Sequence, residues 1–524
     1  MKKKSAYDLI KASIGADGKL PHDFTLEEKP APNQIGFAPG AKDGIGVSHS
    51  SGGNKKKAVR EITCLLKKYF KAGEGQFIDK IEEVLSDCRA LSIIDAILER
   101  ISNDRKSINP NSVVESSLNF IKTSGNIEVI KIGIGLLGLF NLGDCDEAME
   151  TVATLALYDD FTLYAVAAAS DWTNGNDVIF RIAKNVTGWG KIHAVERLKP
   201  ENNEIREWIL RDGCSNDIMD NYLGLICAVK GDLISALRQD TLDDKLFDSV
   251  SVIIGALIDE APVNGISEYE HAREALTLYM SHAKRHSKGL HHLWRILNLR
   301  DWAKSAEVAV ISDYKDEILA QCLEITHKPG WKAMIIEALQ QRDGKNFFYA
   351  INTATRLDID ESLDTVESLD TYVSRELLGA FKDDPLKYYP RITRLFKYPD
   401  IATEIIIILE TVLPLDEMAD GMGDYIFADK LGKEHHCLDF IMPELAAYPL
   451  QGIKLIKTAL NSRVVRGRNM ACRALAGWVK SLGKPLADIS PELHCEITRI
   501  HAIEVNKHTK DTMKKLLGDG KFNA

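Results

Sequence analysis

The stretch that decides the fold is IEVIKIGIGLLGLFNLGD, residues 127–144. Within it, Gly133, Gly135 and Gly138 follow an Ile-rich run with the spacing G-x-G-x-x-G. That spacing is the fingerprint of the turn that holds a pyrophosphate in dinucleotide-binding βαβ units. The same letters also fit a buried helix that contains three glycines. The two interpretations predict different folds, and the residues around the stretch separate them.

The residues after the glycines favour a helix. A phosphate-binding helix continues for several turns beyond the third glycine, but Gly143 follows Gly138 after only five residues. Asp144 and Glu147 then have the Asp-x-x-Glu spacing of a capping box, which predicts that a new helix begins there. Asn126 is a suitable N-cap for the first helix. This pattern predicts a helix–turn–helix connection.

Apolar residues occupy nearly every side of this helix, which is typical of a helix buried on all faces. In the dinucleotide interpretation, the acidic residue that holds the ribose would be Asp159 or Asp160, and the spacing from Gly138 allows either. No alternating series of strands and helices follows. We therefore predict a buried helix, and the three glycines with Asp159 are the only candidate cofactor-binding residues.

From Lys56 onward, apolar residues recur at helical spacing, and strand-like alternation is almost absent. Segments that begin at Gly188, Gly330 and Gly467 resemble one another, each with small residues three or four apart and a second helix after it. We predict an all-α fold, an irregular HEAT/armadillo-like α-solenoid over residues 56–520. A compact, irregular all-α fold is the alternative.

Residues 1–55 form a Gly- and Pro-rich N-terminal segment that differs from the rest of the chain. We predict a short helix near residues 5–14 and a largely extended or flexible segment after it. The motifs IGFAPG and DGIGV fit ordered loops that lie on the body, and they also fit a disordered tail.

Composition narrows the function classes. The net charge of -10 argues against a nucleic-acid binder driven by overall charge, and local basic clusters such as Arg463, Arg466 and Arg468 are interpreted as solvated faces. Nine scattered cysteines without a C-x-x-C pair are typical of reduced thiols in the cytoplasm. No apolar run reaches the length of a membrane span. We expect a cytoplasmic protein with no nucleic-acid or membrane partner.

The histidines do not predict a metal site. His282 and His286 are spaced i, i+4 and would lie on one helix face, and His291 and His292 follow closely. Basic residues surround the four, so an exposed basic helix end is the preferred interpretation. The phosphate-loop and nucleophile-elbow motifs do not occur, and the catalytic residues stay unknown.

At whole-chain level the sequence resembles bacterial limonene hydroxylases. The resemblance is carried by MKKKSAYDLIKASIGADGKLPHDFTLEEKPAPNQIGFAPGAKDGIGV at 1–47 and by SRVVRGRNMACRALAGW at 462–478. It implies hydroxylation of limonene to carveol and perillyl alcohol, and NAD(P)-dependent dehydrogenation of these alcohols to carvone and perillyl aldehyde. Hydroxylation of an unactivated C–H bond requires a haem, flavin or metal, which the sequence does not identify. The resemblance contains no catalytic motif, so no catalytic residue is assigned from it.

Two hypotheses follow. By resemblance, the chain is a monoterpene monooxygenase and alcohol dehydrogenase with a small apolar substrate. From the residues alone, a non-catalytic helical-repeat scaffold that binds a protein or peptide partner is favoured.

Overall fold

The computed structural model describes residues 5–26, 38–49, 56–86, 88–104, 108–305, 311–342, 344–357, 369–425 and 431–518. The chain divides into two compact units, and the first ends at Thr326. The helices of this unit 1 are α1 Ala6–Ser13, α2 Ala41–His49, α3 Lys56–Ala72, α4 Gln76–Leu85, α5 Ile94–Asn103, α6 Pro110–Thr123, α7 Ile127–Leu137, α8 Asp146–Leu155, α9 Asp159–Ala169, α10 Gly175–Asn185, α11 Gly188–Arg197, α12 Asn203–Asp212, α13 Asn221–Lys230, α14 Leu233–Leu237, α15 Asp244–Leu257, α16 Ala272–His286, α17 Leu290–Ser305 and α18 Lys315–Thr326.

The second unit begins at His327. The helices of this unit 2 are α19 Trp331–Gln341, α20 Gly344–Ala354, α21 Leu369–Asp383, α22 Pro385–Ile392, α23 Pro399–Val412, α24 Leu415–Met418, α25 Gly432–Ile441, α26 Ile453–Leu460, α27 Val465–Leu482, α28 Leu486–Ile489, α29 Pro491–Ile503 and α30 Lys507–Leu517. The body predicted over 56–520 therefore contains a division that the sequence analysis did not place.

The all-α prediction is confirmed. Within the described part of the chain, a single isolated bridge between Tyr425 and Val464 is the only β-type pairing. In each unit, helices pack mainly on near neighbours in the sequence: α6 on α7, α7 on α9 and α13 on α15 in unit 1, and α19 on α20 and α26 on α27 in unit 2. This sequential packing fits the predicted solenoid. None of the described helices is both long and apolar enough to span a bilayer.

The decisive stretch forms α7. The side chain of Asn126 accepts hydrogen bonds from the backbone N–H groups of Glu128 and Val129, so the predicted N-cap is confirmed. The helix is buried on nearly all sides, also as predicted. It ends at Leu137 with Gly138 as its C-cap, so Gly143 is not the residue that ends it.

The connection to α8 differs from the predicted capping box. Cys145 is the N-cap of α8 and makes no side-chain cap bond, so Asp144 does not have the predicted capping role. Asn141 organises the loop instead: its side-chain oxygen accepts from the backbone N–H of Gly143 at 3.2 Å and of Thr173 at 2.9 Å. Hydrogen bonds to a distant turn thus fix a loop that local spacing alone did not predict.

Two parts of the N-terminal segment form helices of unit 1. The short helix predicted near residues 5–14 is confirmed as α1, and its Ile10 is fully buried against α6 and α8. The motif DGIGV lies in α2, where Asp43 is buried and Gly44 packs on the indole of Trp189. A β-carbon at Gly44 would lie 2.1 Å from that ring, so only glycine allows this approach. The first half of IGFAPG, residues 35–37, lies outside the described residues.

Candidate functional site

Unit 1 contains a pocket of about 420 Å³ between α5, α7 and α9. This volume falls within the range of small-molecule sites, roughly 300–1,000 Å³. Most of the lining is apolar and consists of Leu91, Ile94, Leu98, Gly135, Gly138, Leu139, Leu163, Ala167 and Ala168. The polar residues of the lining are Asp95, Tyr164, Asp171 and Arg197. An apolar pocket with a few polar groups is the usual form of a site for a small, largely apolar molecule.

Two of the three glycines form part of this pocket. A β-carbon at Gly135 would lie 2.6 Å from Cδ1 of Ile94, and one at Gly138 would lie 2.8 Å from Cα of Ala168. Glycine therefore lets α7 approach α5 and α9 while leaving space beside them. Gly133 faces α6, where a β-carbon would lie 2.2 Å from Cγ2 of Ile121. All three glycines thus serve close helix packing.

Tyr164 connects the pocket to a group of buried charged side chains. Tyr164, which lines the pocket, donates a hydrogen bond from its hydroxyl to the Asp43 carboxylate at 3.1 Å. Burial, reinforced by the negative charge of Asp43, raises the pKa of Tyr164 well above its usual value. Tyr164 therefore keeps its proton.

Lys131 is the centre of this charged group. It is 1% exposed, and its ammonium lies 2.7 Å from Oδ2 of Asp43, 2.7 Å from Oε1 of Glu128 and 3.5 Å from Oδ1 of Asp160. Burial acts to lower the pKa of Lys131, but the three carboxylates outweigh burial and raise it. Arg89 pairs with Asp43 as a second cation. A residue of α2 is thereby fixed to α7, because a buried charge requires partners.

Sequence analysis missed this group. A lysine three residues after Glu128 in a largely apolar helix was the available signal, since a lysine in that position must find buried partners. Its main partner, Asp43, lies in a segment that was predicted to be largely extended or flexible. Sequence spacing alone does not connect the two.

The predicted cofactor-binding residues do not fit a dinucleotide. Gly133 and Gly135 lie within α7 and Gly138 caps it, so these glycines do not form a turn between a strand and a helix. Asp159 lies against the N-terminus of α11, where its carboxylate accepts hydrogen bonds from the backbone N–H groups of Trp189 and Gly190. This is the position of a side chain that stabilises a helix N-terminus and not of a ribose ligand. Burial raises the pKa of Asp159 to about 7.

No protein-family model matches the chain, and the comparison with curated proteins finds no significant match. The candidate site is therefore argued from its geometry.

A second group lies where α15 meets α17. Nε2 of His292 lies 2.6 Å from Oδ1 of Asp248, and Nε2 of His291 lies 3.2 Å from the same oxygen. Burial, followed by the neighbouring His291, lowers the pKa of His292 to about 4. The ligand atoms of the three residues all lie within 4.8 Å of one another.

The i, i+4 spacing of His282 and His286 does not produce a site. His282 is 2% exposed, and its Nε2 lies 2.9 Å from the carbonyl of Leu237 while its Nδ1 lies 3.2 Å from the Arg285 guanidinium. Both ring nitrogens are thus engaged by the protein. The interpretation as an exposed basic helix end is wrong for His282 and for His292, which is 7% exposed. Sequence reasoning missed Asp248 because it lies more than 40 residues before the histidines.

Proposed function

We propose that unit 1 binds a small, largely apolar molecule in the pocket between α5, α7 and α9, and that this molecule is the monoterpene implied by the sequence resemblance, limonene. The observation that supports this is the lining: aliphatic side chains and glycines line most of the pocket, and Tyr164 is one of its few polar lining residues. Aliphatic walls favour a hydrocarbon because they remove its surface from water.

The proposed reactions are hydroxylation of limonene to carveol and perillyl alcohol, and dehydrogenation of these alcohols to carvone and perillyl aldehyde. The first reaction requires activated oxygen from a haem, flavin or metal, and the second requires NAD(P) as hydride acceptor. The α7 glycines and Asp159 do not fit NAD(P), so no residue is assigned to it. The contribution of the chain in this proposal is to bind and orient the terpene and to exclude water.

Binding of perillyl alcohol tests this proposal, because this product is more polar than limonene and suits calorimetry. Ala167 is an exposed residue of α9 that lines the pocket, so Ala167→Phe places a ring in the pocket without disturbing the core. The matched control is Ala12→Phe, at an exposed alanine of α1 outside the pocket.

The wild type and Ala12→Phe are expected to bind perillyl alcohol in a saturable manner, and Ala167→Phe is expected to lose binding. Equal binding by both variants, or none by the wild type, would refute the assigned pocket. Formation of NAD(P)H with perillyl alcohol as substrate then tests the dehydrogenase activity separately from binding.

The second candidate is a scaffold that binds a protein or peptide partner, and one feature of unit 2 favours it. Along α23, Ile407 is 59% exposed and Val412 is 48% exposed, and Ile408 is partly buried. We propose these residues as part of a binding surface, since larger exposed apolar patches mark protein-binding sites. A pull-down with the wild type that loses a specific partner upon Ile407→Asp, together with a lack of perillyl alcohol binding, would favour the scaffold.

A further inference from the structure

The residues Asp248, His291 and His292 come from two helices of unit 1. Asp248 lies in the second turn of α15, and the two histidines lie in the first turn of α17. Packing of α15 against α17 brings together residues more than 40 positions apart. Two imidazole nitrogens and a carboxylate oxygen converge as a result, and these are the usual protein ligands of zinc and of non-haem iron.

The distances fit a shared ion. Oδ1 of Asp248 lies 3.2 Å from Nε2 of His291 and 2.6 Å from Nε2 of His292, and the whole set lies within 4.8 Å. Ligands about 2.0–2.2 Å from one ion are separated by roughly 3 Å from each other. Only small side-chain shifts are needed to place an ion among the three atoms.

We propose that Asp248, His291 and His292 form a binding site for a divalent transition-metal ion of the Zn²⁺ or Fe²⁺ class. Three protein ligands leave at least one coordination position open, which is characteristic of catalytic rather than structural sites.

The surroundings hold one ligand of the proposed site in place and leave another accessible to solvent. His292 is buried, and its ring packs on Phe247 with centroids 4.9 Å apart, so one ligand is rigidly held. Asp248 is half-exposed and lines a separate pocket of about 400 Å³, whose wall includes Trp208 and Val252. An ion held by Asp248 would therefore lie beside a space that a small molecule can enter. This pocket shares no lining residue with the proposed terpene pocket.

Binding of an ion requires the proton of the His292 ring to move from Nε2 to Nδ1. Without an ion, the proton of the neutral ring lies on Nε2, which faces Asp248, and Nδ1 faces the backbone N–H groups of Lys288 and Gly289 at 3.4 Å. An ion at Nε2 places the proton on Nδ1, so these two long contacts are lost. No net proton is released by this ring, and residues 288–289 must move slightly. The cost lowers the affinity without removing a ligand.

The test is a calorimetric titration of chelator-treated, full-length protein with Zn²⁺. The site variants are Asp248→Asn and His291→Ala, which alter exposed or half-exposed side chains. The control is Asp244→Asn, on the same helix, whose carboxylate pairs with Lys288 and lies 3.6 Å from Nδ1 of His286 but lacks a third ligand. Circular dichroism confirms that each variant is folded.

The wild type and Asp244→Asn are expected to bind one equivalent of Zn²⁺ with equal affinity. Loss of one of three ligands is expected to weaken binding by more than about tenfold in each site variant. Substitution with Co²⁺ gives a second measurement, since the visible spectrum of the bound ion must change in His291→Ala. Unchanged affinity in both site variants, or no saturable binding by the wild type, would overturn the proposal. The titration contains no terpene, so its failure leaves the proposed function untouched.

Discussion

Replacing Gly133 or Gly135 of α7 with alanine should change the stability by different amounts. In Gly133→Ala, the new β-carbon would lie 2.2 Å from Cγ2 of Ile121 and 2.3 Å from Cε2 of Phe120. Both side chains are almost fully buried, at 0% and 2% exposure, and have no space to retreat. Overpacking of this kind costs about 1–3 kcal/mol, and the better helix propensity of alanine returns about 1 kcal/mol. We expect a net destabilisation of up to about 2 kcal/mol.

In Gly135→Ala, the nearest atom is the terminal methyl of Ile94, at 2.6 Å. That methyl borders the pocket and can rotate into it, so most of the strain is relieved. The helix-propensity gain of about 1 kcal/mol then offsets the remaining strain, and the stability should stay within about 1 kcal/mol of the wild type.

Urea unfolding followed by circular dichroism measures both variants, and the shift in midpoint gives the difference in stability. The reasoning fails if Gly135→Ala is as destabilised as Gly133→Ala, because the pocket beside α5 would then give no relief. A dinucleotide turn predicts a third pattern, in which Gly135→Val loses NAD(P) binding while the fold stays intact.

Three further changes test the buried charges. Lys131→Met removes the ammonium that contacts Asp43, Glu128 and Asp160, while Arg89 stays paired with Asp43, so a loss of about 3 kcal/mol is expected in urea unfolding. The Asp159 pKa is raised from 3.8 to about 7, so the folded state holds a proton that the unfolded state has lost, and wild-type stability falls as pH rises through this window. Relative to the wild type, Asp159→Asn should therefore gain stability at pH 8 compared with pH 5, and an equal difference at both values would contradict the shift. In unit 2, Arg468 and Glu504 are both buried and joined by two hydrogen bonds of 2.7 and 2.8 Å, so Arg468→Met should cost about 3–5 kcal/mol in thermal unfolding. Adding Glu504→Leu should restore much of that loss, and no recovery would show that the lost hydrogen bonds to the backbone dominate.

Arg468 is a residue whose burial the local sequence did not predict. In sequence it belongs to a basic cluster that was interpreted as a solvated face, yet its side chain is 0% exposed. It donates to the carbonyls of Ser462 and Gly423 and pairs with Glu504, which lies 36 residues away. Only the arrangement of α27 beside the segment before α30 provides that partner. The sequence of the cluster contains no sign of it.

The sequence by itself determined the helical class and the identity of α7. The spacing of apolar residues and the capping residues are local properties. The apolar residues on every side of 127–137 and the Asn126 N-cap belong to one short segment of the chain. The short helix α1 was predicted for the same reason. These features follow from hydrogen bonds and burial within the segment itself, so they can be predicted from the sequence.

The tertiary structure alone decided what the glycines do and which residues form sites. Gly135 and Gly138 border a pocket because α5 and α9 pack against α7, and Asp248 meets His291 and His292 because α15 packs against α17. Such meetings depend on contacts between residues distant in the chain. The three glycines indicate only that another group approaches the backbone closely. In this protein, that group is a neighbouring helix and not a pyrophosphate.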